Sequence, residues 1–137
     1  MRDSTSLRSC GLTVLRIVLG VVFLAHGWQK VFVLGLTGVT GMLTGMGIPL
    51  PKVGAPLLMA VELIGGALLM LGLATRWAAA LIAADILVAI SFVHWKHGFF
   101  ASTQGVEFPL TLLAAAICLA LAGPGNAALD AMFRKQA

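Results

Sequence analysis

Residues 11–34 read GLTVLRIVLGVVFLAHGWQKVFVL, an apolar stretch longer than the ~20 residues that a helix needs to cross a bilayer. It carries three ionisable side chains, Arg16, His26 and Lys30. Unpaired backbone amides are too costly in hydrocarbon for any spanning form but a helix or a closed barrel, and nothing here alternates with the period of two of a membrane strand. The stretch therefore reads as a transmembrane helix. Arg2 and Arg8 ahead of it give the outline of a secretion signal, but no small-residue cleavage pattern follows, so the helix is expected to stay uncleaved. Leu7-Arg8-Ser9-Cys10 has the look of an acylation site, yet the apolar run follows the cysteine instead of preceding it.

The rest of the chain obeys the same solvent. Hydrophobic residues make up 60% of it and charged residues 10%, against roughly 25% charged in a soluble domain, and its mean hydropathy is +1.03. That excludes an ordinary soluble domain and a disordered chain. Further apolar segments lie at about 54–73, 77–93 and 108–122, the last two short but within reach of a thin bilayer. The expected fold is all-α: one integral membrane four-helix bundle over residues 1–137, with helices at about 11–34, 54–73, 77–93 and 108–122.

Gly72 can end the second helix and Thr75 can cap the third, making an antiparallel hairpin. Segment 35–53 holds five glycines and then Pro49 and Pro51, and reads as interfacial or re-entrant. Its Gly41-x-x-x-Gly45 spacing can permit close helix contact. Gly123-Pro124-Gly125 stops the fourth helix, and a short amphipathic tail at 126–137 follows.

With four crossings, one side of the membrane collects Arg2, Arg8, Arg76, Arg134 and Lys135, with Arg16 just inside. The other holds Lys52 and Lys96, with Lys30 just inside. The excess places both termini in the cytoplasm of a multi-pass protein of a bacterial-type plasma or inner membrane. The net charge of +4 is scattered, without the basic run or aromatic interleaving of a nucleic-acid surface. Cys10 and Cys118 form no Cys-x-x-Cys pair and read as structural thiols.

The informative residues are the ionisable ones in apolar segments: Arg16, His26, Lys30, Glu62 and Asp85, with Glu107 at the edge of the fourth helix. A charge at mid-membrane costs ~2.5 to 3.5 kcal/mol on insertion scales, so such residues pair or line a polar cavity. Counting ~1.5 Å per residue from the outer ends puts Lys30 at ~6 Å depth and His26 and Glu62 at ~12 Å, close enough to meet. His26 and Lys30 share a helical face, with Arg16 within ~80° of it. Glu107 enters beside the loop carrying His94, Lys96 and His97, and Arg16 can reach toward Asp85 along the bundle. His26, Lys30, Glu62, Glu107 and Arg16 are the candidates for ligand binding or proton handling; Trp28, His94, His97 and Asp85 are secondary. The competing reading is that these charges are structural glue that orients the helices. No second buried histidine matches His26 in depth as paired haem ligation requires, and His94-x-x-His97 in a loop is no sufficient basis for a metal site.

The order and spacing of several short motifs resemble the DoxX family of small membrane proteins. They are Leu15-Arg16, Phe23-Leu24-Ala25-His26-Gly27-Trp28-Gln29-Lys30, Met46-Gly47-Ile48-Pro49, Val61-Glu62-Leu63-Ile64-Gly65-Gly66 and Gly72-Leu73-Ala74-Thr75-Arg76, then His97-Gly98-Phe99-Phe100, Gly105-Val106-Glu107-Phe108-Pro109, Gly123-Pro124-Gly125 and Leu129-Asp130. The resemblance implies a four-helix membrane protein, named for likeness to a subunit of a thiosulfate:quinone oxidoreductase. Arg16, His26, Lys30, Glu62 and Glu107 match its pattern and Asp85 does not. The expected role is an accessory subunit of a redox-linked assembly, with quinone as the compatible ligand and other membrane or redox proteins as partners, in a chain able to form a homo-oligomer. The alternatives are a non-enzymatic scaffold or assembly factor and a small proton-linked transporter. No catalytic motif of a soluble enzyme is present.

Overall fold

The computed structural model describes residues 2–134, and of residues 2, 3 and 134 the backbone alone. Lys135 and the end of the expected tail lie outside the described residues, as do the side chains of Arg2 and Arg134. The chain is all-α, with no strand among the described residues. Helix α1 spans Arg2–Trp28 and passes through a π-helical segment, Gln29–Leu34, into α2, Gly35–Gly45. Helix α3 is Pro51–Leu71 and α4 is Thr75–Ala89, which continues as π-helix to His94 and a 3-10 turn to His97. Helix α5 is Glu107–Ala122 and α6 is Leu129–Arg134.

Three continuous helical runs, Ser4–Gly45, Pro51–Leu71 and Thr75–His97, are long and apolar enough to cross a membrane, while Glu107–Ala122 is shorter, at ~24 Å. No more than 28% of the most apolar stretch of any of these three runs is buried within the chain, so most of their apolar side chains face outward. Water would penalise that surface; hydrocarbon does not.

The boundaries differ from those read in sequence. The first helix starts at Arg2 instead of near Gly11, because residues 2–10 contain no helix breaker and Gly125 lies against the Ser9 carbonyl and Thr13. The expected interfacial segment is largely helical. Gly35 adopts φ +66° and ψ 172°, a conformation that strongly favours glycine, and there the run turns. Helix α2 then packs Val39 and Leu43 against Ala55 of α3, burial that offsets the poor helix propensity of its glycines. Helix α3 begins at Pro51, whose fixed φ suits a first turn. The third helix outruns its predicted end at Val93 and reaches His97 through the π-helical and 3-10 turns.

Helices α1 and α3 pack antiparallel along a seam of glycines. A Cβ on Gly66 would lie within 2.4 Å of the Leu24 backbone, and one on Gly20 within 2.8 Å of Met70. At Gly27 the Leu63 backbone is so close that no side chain fits. Gly41 and Gly45, the spacing singled out in sequence, have nothing within 4 Å, so they are not a packing seam within the chain. The core joins Leu19 and Phe23 of α1 and Leu69 of α3 to Ala78, Ala79, Ile82, Ala83 and Ile86 of α4 and to Leu113, Ala116 and Leu119 of α5.

Gly27→Ala or Gly66→Ala is therefore expected to destabilise the bundle by ~2 kcal/mol or more, the upper part of the range for overpacking. Gly41→Ala should be neutral or slightly stabilising, since it adds helix propensity without a clash. Unfolding of the detergent-solubilised variants followed by circular dichroism checks both.

Candidate functional site

Ionisable groups gather at two levels of the bundle. At the end where the chain termini lie, Arg16 is 1% exposed and its guanidinium is enclosed by backbone carbonyls. Nε donates to Pro124 at 3.1 Å, Nη1 to Leu69 at 2.5 Å and Met70 at 2.8 Å, and Nη2 to Ala127 at 2.6 Å. Leu69 and Met70 lie in the last turn of α3, whose carbonyls have no partner inside the helix. The rigid fork of donors serves them and the chain leaving α5 together. Arg16 does not reach toward Asp85 as the sequence suggested.

The α3–α4 turn completes this clamp. Gly72 at φ +69° ends α3, with Leu73 N–H donating to Leu68 and Gly72 N–H to Leu69, the paired bonds of a Schellman ending. Thr75 does not cap α4, as sequence proposed. The cap comes from Asp130, whose Oδ1 and Oδ2 accept the N–H groups of Ala74 at 2.7 Å and Thr75 at 2.9 Å. A carboxylate at a helix N-terminus also meets the positive end of the helix dipole.

The second level lies toward the loop end of the bundle. Lys30 Nζ and Glu62 Oε2 are 2.6 Å apart, with both side chains nearly buried, at 12% and 8% exposure. Lys30 sits in the π-helical segment, a widened turn that recurs at functional sites and re-aims the side chains it carries. Asp85 joins them from α4. Ile82 packs on Gly65, and one turn further along this antiparallel pair Asp85 stands level with Glu62. Asp85 accordingly feels the charges of both Glu62 and Lys30. Two carboxylates and one ammonium therefore share one level of three adjoining helices.

His26 lies one turn from Lys30 on the exposed side of α1. Its Nδ1 is 2.7 Å from the Val22 carbonyl; a carbonyl only accepts, so Nδ1 carries the proton and Nε2 is the open acceptor. Beside it Trp28 packs on Phe32 with ring centroids 4.1 Å apart. Glu107 is not brought to this cluster: its Oε2 accepts the Ala101 N–H at 2.7 Å and ties the loop together. His94 donates from Nδ1 to Gln104, and His97 to Val93. No group of three His, Cys, Asp or Glu side chains suited to a metal ion occurs among the described residues.

The sequence profile described as DoxX matches residues 11–95, a range that takes in Arg16, His26, Lys30, Glu62 and Asp85. The chain belongs to the DoxX family. It is 38% identical over 88% of its length, and 84% of the relative's, to a Bacillus subtilis (strain 168) protein named "Putative oxidoreductase CatD". It is 32% identical to an uncharacterized membrane protein of Mycobacterium tuberculosis, over 90% of this chain and 81% of that one, and 28% identical to the inner membrane protein YqjF of Escherichia coli K12, over 95% and 97%. No solved structure matches.

The geometry divides the motifs of this DoxX protein by their task. Arg16, Gly72 to Thr75, the stretch after Gly123 and Asp130 are engaged in the clamp, and Gly98 to Glu107 in the loop. In that loop Val106 N–H donates to Gly98 and Glu107 N–H to Phe99. His26, Lys30 and Glu62 are left over, and Asp85 joins them from outside the motifs. Helix register decides that proximity, and no local pattern announces it.

Arg16→Gln leaves buried carbonyls without donors and is expected to cost ~3 kcal/mol or more, with proteolysis of the tail as the specific sign. Lys30→Met should destabilise this DoxX protein by ~3 kcal/mol through the carboxylate it strands, and Lys30→Met with Glu62→Leu should recover most of the loss. A double-mutant cycle of unfolding free energies measures the coupling.

Proposed function

We propose that this DoxX-family membrane protein is an accessory subunit of a redox-linked assembly. In this reading the level of Lys30, Glu62 and Asp85 binds the head of a quinone-type molecule and handles its protons. The observation that carries it is the Lys30–Glu62 ion pair with Asp85 level with Glu62, three ionisable groups gathered at one level of an apolar bundle where burying such groups is costly. The name of the Bacillus relative lends support at the level of reaction class.

The residues suit such a ligand. The Lys30 ammonium has protons to donate to a ring oxygen, the carboxylates of Glu62 and Asp85 can take up or release a proton, and the open Nε2 of His26 can accept a hydroxyl proton in a hydrogen bond. A quinone supplies the electron chemistry, and the electron carrier belongs to a partner protein. His26 is exposed on the outer side of α1, so a lipid-dissolved molecule reaches it laterally from the bilayer. In this reading, which the count of basic residues supports, the end that bears the termini faces the cytoplasm and the ion pair lies in the outer half of a bacterial inner membrane.

The test is made on protein extracted in native lipid. A stoichiometric quinone, found by mass spectrometry of the solvent extract and by an oxidised-minus-reduced spectrum, should be present in wild type and lost in a folded Glu62→Gln variant. A wild-type protein that is empty and colourless overturns the redox reading in favour of a scaffold or a transporter.

A further inference from the structure

The clamp leaves a second polar site at the end of the bundle that bears the termini. Ala74, Thr75, Arg76, Trp77, Pro124 and Asp130 line a surface depression of about 290 Å³. Arg76 is exposed, and its guanidinium lies over Gly123, with Nε 3.3 Å from the position a Cβ there would take. It makes no hydrogen bond or ion pair among the described residues, and none joins it to Asp130. Thr75 is fully buried, and its hydroxyl has no partner. The Asp130 carboxylate accepts one backbone N–H at each oxygen, which leaves each a further lone pair. Trp77 is 78% exposed in the first turn of a spanning helix, the depth at which tryptophan sits among lipid headgroups.

We infer that this depression is a headgroup site for a phospholipid carrying a phosphate and a primary ammonium, of the phosphoethanolamine kind. The lining supplies one group for each charge of that zwitterion. Arg76 presents a planar fork of donors to the phosphate oxygens, and the spare lone pairs of Asp130 receive the ammonium protons. The unpaired Thr75 hydroxyl lies buried beneath the same wall. A fully methylated ammonium has no proton to give Asp130, and a purely anionic headgroup meets the carboxylate with like charge, so both bind less well. The occupant is a lipid and not a soluble phosphate ester because the acyl chains lie where the Trp77 ring and the apolar faces of α4 and α5 already meet hydrocarbon. The site is separate from the Lys30 level and does not depend on its role.

Native mass spectrometry of the full chain in detergent, titrated with phosphatidylethanolamine, its N-methyl and N,N-dimethyl forms, phosphatidylcholine and phosphatidylglycerol, tests this. Retention should fall stepwise with each methyl group, by about tenfold from the primary amine to choline, with phosphatidylglycerol weaker than phosphatidylethanolamine. Arg76→Gln, which breaks no hydrogen bond or ion pair among the described residues, should lose about tenfold in phosphatidylethanolamine retention with unchanged thermal unfolding. Equal retention of all the lipids, stronger retention of phosphatidylglycerol, or an Arg76→Gln variant that binds like wild type overturns the proposal. Displacement of the lipid by soluble phosphoethanolamine at equal concentration would assign the site to a soluble ester and overturn the lipid assignment.

Discussion

The close approach of α1 to α3 at Gly20, Gly27 and Gly66 fixes the spacing on which the other features depend. In hydrocarbon there is no gain from hiding one apolar helix face against another, so association rests on van der Waals contact and on polar bonds between helices. Glycine at the seam brings the backbones close enough for both. With the axes at that distance, the Lys30 side chain reaches Glu62 at one end of the seam, and Arg16 reaches the final carbonyls of α3 at the other. A bulkier seam would separate the helices and strand both cations.

The two cations do different work despite sharing a helix. Arg16 is surrounded by carbonyl oxygens of α3 and of the chain after α5, and its planar fork suits several fixed acceptors at once. That arrangement welds the C-terminal segment to the α3–α4 turn, where Asp130 completes the cap of α4. Lys30 instead meets a carboxylate, with a second one level with it on α4, and in the proposed reading this set is the one that exchanges protons. A clamp needs a fixed charge, and a site that handles protons needs groups that can change theirs.

Much of the architecture was legible in the sequence because membrane solvation is a severe filter. The apolar runs could only be helices, and the short Gly72 to Ala74 link could only be a tight hairpin. The ionisable residues identified themselves by being out of place, and the depth count put His26 and Glu62 at one depth with Lys30 near enough to meet them. Some readings failed for a common reason. Thr75 looked like a cap by local chemistry, but Asp130, distant in sequence, arrived there first; Gly41 and Gly45 had the right spacing, yet α2 turned a different face to α3.

By itself the sequence determined the solvent, the helical class, the approximate spans and the identity of the buried charges, since these follow from composition and from the cost of bare amides in lipid. Only the tertiary structure decided how the charges are grouped: Arg16 with carbonyls, Glu107 with its own loop, and Asp85 with Glu62 and Lys30. The reason is geometric. Which side chains meet across helices depends on interaxial distance, rotation and register, and these are set by contacts between residues far apart in the chain.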